Sequence, residues 1–257
     1  MTYTTITRDK DRSLEIINYI KSKLTIKEDE ANPDYVIAVG GDGTIINAVH
    51  KYPSSIIFGI HTGHLGFYAN YDQNDVDILI NDINNNEFKT ISLGVVCASF
   101  NHNGKEVYDY ALNEVTLVSP LRTLILNVSI DNEFLERYRG TGICVSTPTG
   151  STAYNKSLHG SVIDDRLEVM QLTEMASINS TSYRTLSSSI LLSKDRTISL
   201  TDISKGKKFI TIDNIFYEVD EISKLDIKFE PNKIKMAYHN KNSFIDRISR
   251  TFLISKE

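Results

Sequence analysis

Val39-Gly40-Gly41-Asp42-Gly43-Thr44 is the densest concentration of chemistry in the chain, because it sets one acid among three glycines straight after an apolar run. Glycines let a backbone turn tightly and approach a bulky anion, and the free N–H groups where a helix begins bind phosphate oxygens. Gly40, Gly41, Gly43 and Thr44 are therefore the candidate phosphate ligands. Inside such a cradle Asp42 would repel a phosphate unless it holds Mg2+ or takes a proton from an attacking hydroxyl, and either role means phosphoryl transfer. A plain strand-to-helix turn with Asp42 as the helix cap has the same sequence, so other groups must decide. Asn113-Glu114 can orient a sugar, since an amide donates and accepts while a carboxylate accepts from paired hydroxyls. Most such polar pairs, however, are simply solvated. Residues 146–157 combine hydroxyls, two small residues and Pro148, which suits a rigid loop against which a flat base can lie, though ordinary loops share that composition. His61 and His64 have no third ligand at a recognisable spacing, so they are expected to be ordinary hydrogen-bonding histidines and no side-chain metal site is expected. A hard cation such as Mg2+ would arrive with a nucleotide instead.

These groups need a scaffold, and the chain supplies two textures. Tyr3 to Thr7 reads as a strand, and Leu14, Ile17, Ile20 and Leu24 mark one apolar stripe of a helix over residues 11–24. Val36-Ile37-Ala38-Val39 and Ile56-Ile57-Phe58-Gly59-Ile60 read as strands buried on both faces. A crossover helix over residues 44–52 fits between them, and Val76, Leu79, Ile80 and Ile83 mark another. Beyond about residue 92 the pattern alternates, as in Leu124, Leu126, Val128 and Ile130 with polar residues between. Asp131-Asn132 and Asp213-Asn214 are placed to turn hairpins. The asparagine-rich residues 81–87 and the Ser/Thr-rich residues 177–193 read as surface loops. Phe244, Ile245, Ile248 and Phe252 predict a closing amphipathic helix. The expected organisation is an α/β domain with a parallel sheet over residues 1–92, a β-rich domain over 93–240, and a C-terminal helix over 241–257 packing back on the body.

At 257 residues and 40% hydrophobic content, the chain can build two sizeable cores. No run approaches the roughly 18 apolar residues of a membrane span, and the first residues lack the pattern of a signal peptide. A cytoplasmic protein that contacts no membrane is expected. The only cysteines, Cys97 and Cys144, should stay reduced. A net charge of −5 without a basic block excludes the electrostatic footprint of a nucleic-acid binder.

Three stretches join the glycine turn in fixed order: Ile60-His61-Thr62-Gly63-His64-Leu65-Gly66-Phe67-Tyr68, then Leu112-Asn113-Glu114-Val115, then Val145-Ser146-Thr147-Pro148-Thr149-Gly150-Ser151-Thr152-Ala153-Tyr154-Asn155-Lys156. The glycine turn alone resembles a superfamily of NAD kinases, diacylglycerol and sphingosine kinases and phosphofructokinases. With the other stretches the chain resembles the NAD kinase family, bacterial type, over roughly its whole length. That resemblance implies transfer of a phosphoryl group from ATP or polyphosphate to the 2'-hydroxyl of the adenosine ribose of NAD, giving NADP, with Mg2+ or another divalent cation accompanying ATP. It implies a site between the two domains and a homo-oligomer, with a tetramer favoured. Residue by residue, it makes Asp42 the base, Asn113 and Glu114 the ribose ligands, and Phe67 and Tyr68 candidate walls of an adenine pocket. It places further NAD contacts at Arg139, Thr141, Thr149, Thr152, Ala153, Tyr154, Asn155, Lys156, Ser157 and Ala176. The chain departs from the family at Thr141, where a carboxylate is usual, and at His159 and Asp164-Asp165. These changes touch affinity at the nicotinamide end rather than Asp42, Asn113 or Glu114. A catalytically weak dinucleotide-binding homologue is the alternative, and a lipid kinase a more distant one.

Overall fold

Short apolar runs alternating with amphipathic helices fold as β1 (Thr2–Thr7), α1 (Arg12–Lys23), β2 (Lys27–Glu28), β3 (Tyr35–Val39), α2 (Asp42–Lys51), β4 (Ile56–His61), β5 (Tyr71–Asp72) and α3 (Val76–Asn85). The structure is a computed structural model that describes residues 1–8, 12–63, 66–239 and 243–253. The chain divides into two units, one of Met1–Leu93 with Asn232–Glu257 and one of Gly94–Pro231. In the first unit β1 pairs in parallel with β2 and β3, and β4 with β3 and β5. All five residues of β3 are buried, as a parallel strand covered on both faces requires. Ile17 and Ile20 of α1 and Leu79, Ile80 and Ile83 of α3 complete this core with Phe58 and Tyr71.

The second unit is antiparallel. After β6 (Lys89–His102) come β7 (Lys105–Ala111), β8 (Glu114–Val118), β9 (Leu124–Ile130), β10 (Glu133–Gly140) and β11 (Gly142–Ser146). A 3-10 turn (Thr149–Thr152) leads into α4 (Tyr154–Ser157), followed by β12 (Val169–Met175), β13 (Ile190–Ser193), β14 (Thr197–Thr201), β15 (Lys208–Ile212), β16 (Ile215–Val219) and β17 (Lys224–Tyr238). One sheet has the order β13-β12-β11-β8-β15-β16, while β10, β9, β14 and the first part of β17 are neighbours in another. Alternation puts Leu117, Val145 and Leu172 of the first sheet and Leu126, Leu200 and Ile227 of the second into a single apolar cluster. The second part of β17 returns to the first unit, where Lys235 and Met236 run parallel to Ile56 and Ile57 of β4. The final α5 (Phe244–Ile248) continues into a π-helical turn over Ser249–Leu253.

The structure shifts several sequence expectations. α2 begins at Asp42 rather than residue 44, because the backbone is already helical as it leaves Gly41. Asn81 to Asn85 are helical rather than loop, since burial of Val76, Leu79, Ile80 and Ile83 outweighs the weak helix propensity of asparagine. Ile190–Ser193 forms an edge strand on β12 instead of a loop. Neither α5 nor the π turn buries a residue, and Ile245 is 71% exposed. Contact with the rest of the first unit comes through Phe252, whose ring lies 5.5 Å from that of Phe67, and through Arg247.

Candidate functional site

In the first unit the glycine turn joins β3 to α2. Gly40 has φ +154°, and a Cβ there would lie 2.5 Å from Thr44 Oγ1. Among the described residues, an added Cβ at Gly41 would meet nothing within 4 Å, and one at Gly43 only the Arg8 guanidinium at 3.4 Å. The residue before α2 is Gly41, and no side chain caps the helix. Asp42 therefore does not act as the cap. Its Oδ2 accepts the Phe67 N–H at 2.9 Å and its Oδ1 the Tyr68 N–H at 3.1 Å, so the acid is aimed by a loop 25 residues further on. Gly66 makes this possible, since a Cβ there would fall 2.1 Å from Asp42 Oδ1. Burial raises the Asp42 carboxyl above the usual aspartate value, opposed by the two backbone bonds and by nearby His61 and Arg247. The Arg247 guanidinium also donates to Phe67 O at 3.4 Å. Tyr68 is buried and Phe67 half-buried, with its ring against Phe252. Thr44 is buried beneath the turn. His64 lies outside the described residues. Among the described residues, no group of three or more His, Cys, Asp or Glu could hold a metal ion.

In the second unit the structure gathers Asn113 and Glu114, at the start of β8, with the loop after β11. Thr147 N–H donates to Asn113 O at 2.9 Å. Thr147 and Thr149 hydroxyls donate to Leu112 O at 2.6 and 3.2 Å. Gly150 is pressed onto this chain, since a Cβ there would sit 2.0 Å from Asn113 O. The Thr152 hydroxyl turns back to Thr149 O at 3.0 Å. Glu114 accepts the Tyr154 N–H, but burial and the facing Asp213 carboxylate push it up to about 8. Among the described residues its Oε2 is buried with no hydrogen-bond partner. Ala153 is half-buried, while Tyr154, Lys156 and Ser157 are exposed along α4. Asn155 is different: it is fully buried and its Oδ1 accepts the Thr173 hydroxyl at 2.7 Å, so its side chain packs the loop and presents no surface to a ligand.

Arg139, Thr141 and Ala176 form a second group in this unit. Thr141 N–H donates to Met175 O, and Ile178 N–H to Arg139 O. The Arg139 guanidinium lies 3.8 Å from the centroid of the Tyr183 ring. Thr141 is exposed, and with Ala176, Gly140 and Arg122 it lines a cavity of about 230 Å3. Sequence reasoning missed Arg8, Asp213 and Arg247. The first and last carry no motif, whereas Asp213 was visible only as half of a hairpin turn.

The two parts of the chain match the family described as "ATP-NAD kinase N-terminal domain" over residues 1–88 and "ATP-NAD kinase C-terminal domain" over residues 112–236. The NAD kinase of Staphylococcus aureus strain JH9 is 38% identical over an alignment of 268 residues, covering 100% of this chain and 99% of that protein, and that of strain Newman gives the same values. Among solved structures, yeast NADH kinase complexed with NADH is similar with a TM-score of 0.84 at 19% identity, covering 100% of this chain and 89% of that one. An NAD kinase from Archaeoglobus fulgidus in complex with ATP gives 0.76 at 22% identity, covering 98% and 97%. At such identities these two structures speak for the fold.

Proposed function

Because the chain belongs to the ATP-NAD kinase family, matched in both its domains, we propose that it transfers the γ-phosphoryl group of ATP to the adenosine 2'-hydroxyl of NAD. The observation that carries this reading is the orientation of Asp42. It leaves its own helix uncapped and is held by two backbone N–H groups beside the glycine turn. Each of its oxygens keeps a second lone pair, so the carboxylate can still accept the hydroxyl proton. As that proton leaves, the ribose oxygen attacks the γ-phosphorus in line and ADP departs. Gly41 and Gly43 leave room for the donor's phosphates, Gly40 leaves room for the Thr44 hydroxyl beneath the turn, and Arg8 is a cation next to Gly43. Mg2+ bound to the ATP substrate would supply charge neutralisation on the transferred group.

Asn113 and Glu114 hold the ribose, Thr149, Thr152, Ala153 and Tyr154 line the base, and Arg139, Thr141 and Ala176 lie toward the nicotinamide end. Phe67, Lys156 and Ser157 complete the set of contacts. The protein is proposed to work in the cytoplasm, where its two cysteines, both buried and neither in a disulfide, remain thiols. A homo-oligomer, with a tetramer favoured, is part of the same reading, supported by apolar side chains such as Leu121 (75% exposed) and Phe134 (65%). Light scattering tests that last point. The reaction is tested by incubating the purified protein with NAD, ATP and Mg2+: NADP is expected, and absence of product with ATP and with polyphosphate overturns the proposal.

A further inference from the structure

Asp213 stands in the two-residue turn between β15 and β16, and no step above uses it. Its Oδ2 accepts the Leu112 N–H at 2.7 Å, and its Oδ1 accepts the Asn113 N–H at 2.8 Å and the Glu114 N–H at 3.4 Å. Its own N–H donates to Glu114 O at 3.1 Å. One carboxylate thus gathers three consecutive backbone donors, and hydrogen bonds to an ionised acceptor are shorter and stronger than neutral ones. That is a fixed mount for two adjacent side chains. The same carboxylate is the anion facing Glu114. The Tyr154 N–H of α4 and the buried Cys144 thiol of β11 also face Glu114, and the Tyr110 phenol of β7 feels the Asp213 charge.

Resting on the reading of Asn113 and Glu114 as sugar ligands, we propose that Asp213 is a positioning residue for the acceptor's hydroxyls: it fixes the backbone that aims both side chains, and its charge decides whether Glu114 meets the sugar as an acid or as a carboxylate. Burial first, and the Asp213 charge second, push Glu114 up to about 8. Before a sugar faces it, Glu114 is thus biased toward its protonated form at neutral pH. Sugar hydroxyls donating to the partnerless Oε2 favour the charged form, so NAD binding expels that proton. By reciprocity, affinity for NAD rises with pH until Glu114 ionises unaided, and is flat above.

Asp213→Asn is the informative variant. Residue 213 has φ +51°, which asparagine tolerates, and the amide oxygen still serves Asn113 and Glu114, while the charge and the acceptor for the Leu112 N–H are gone. The Glu114 carboxyl is followed by NMR in isotope-labelled protein, its signal identified by its loss in Glu114→Gln, alongside the pH dependence of KM for NAD. The Glu114 midpoint is expected to fall by about one pH unit or more, and the pH above which KM levels off falls with it. A purely structural Asp213 would lower the melting temperature and leave both midpoints in place, which overturns the inference. In the unsubstituted protein, calorimetry in buffers of different ionisation enthalpy should show net proton release when NAD binds at neutral pH; no release also overturns it. Glu114→Gln separates the two levels. If its KM for NAD equals that of the parent, the sugar-ligand reading itself falls; if KM rises while Asp213→Asn moves neither midpoint, only the role of Asp213 falls.

Discussion

Asp42 and Glu114 are the same chemical group placed at the start of a helix in one unit and of a strand in the other, and both are half-buried. Asp42 is gripped through both oxygens by backbone N–H groups and has cations nearby in Arg247 and His61. Glu114 takes one backbone N–H, faces an anion, and keeps an oxygen with no partner. Desolvation raises both carboxyls, but the neighbours pull Asp42 toward ionisation and push Glu114 toward neutrality. A base must be ionised before substrate arrives, whereas a sugar ligand can take its final charge when the sugar does. The electrostatics of each unit therefore match the task proposed for its carboxyl.

The comparison breaks most visibly at Asp42. Asp42→Asn should lower kcat by about 10²–10⁴-fold, the usual share of a general base, while NAD affinity measured by calorimetry changes little; an unchanged kcat removes Asp42 from the reaction. Gly66→Ala attacks the same group from behind, since the new methyl overlaps the carboxylate. Displacing a reacting group by about an ångström can cost around 10²-fold, so single-turnover rates should fall by that order with the fold intact by circular dichroism. Because burial raises Asp42, the acid limb of kcat should lie above the normal aspartate range: activity is full where Asp42 is ionised and is lost as pH drops through its raised value. Gly150→Ala is the counterpart in the other unit, where a methyl would meet Asn113 O. It should raise KM for NAD by about tenfold, the order of one charged hydrogen bond lost, with a smaller change in kcat. Thr141→Asp gives the smallest effect. Restoring a charge at an exposed position near the proposed nicotinamide end should tighten NAD binding by up to about tenfold, and equal or weaker binding by calorimetry would mean that the surrounding loop is built around threonine.

Much of the scaffold was legible because burial writes itself into spacing. Val36 to Val39 reads as a doubly covered strand and is one, and the stripe of Leu79, Ile80 and Ile83 faces the core. Both Asp-Asn pairs turn hairpins, with Asp131 and Asp213 in left-handed conformation. The asparagine-rich end of α3 misled because composition was weighed against a helix that tertiary packing had already decided. At the C-terminus the periodicity was real, yet Ile245 faces solvent and, among the described residues, only Phe252 finds an aromatic partner. The motif residues could be found one by one, but not the contacts between them. Nothing in the sequence says that Asp42 is held by Phe67 and Tyr68, that Gly66 is small on its behalf, or that Asn155 turns inward to Thr173. Such pairings depend on which loops the fold brings together, and that information lies beyond any local window.

The division of the chain has a consequence for its birth on the ribosome. The first unit is interrupted: its sheet gains Lys235 and Met236, and its Phe67 gains Arg247 and Phe252, only after the 138 residues of Gly94–Pro231 have been made. During synthesis at roughly 5–20 residues per second, the segment that carries Asp42 must wait several seconds before Ile56 and Ile57 of β4 gain their β17 partners. The second unit is continuous and can close on itself as soon as it emerges. The later-made half of the molecule is thus the one free to mature first, and the glycine turn reaches its final setting last.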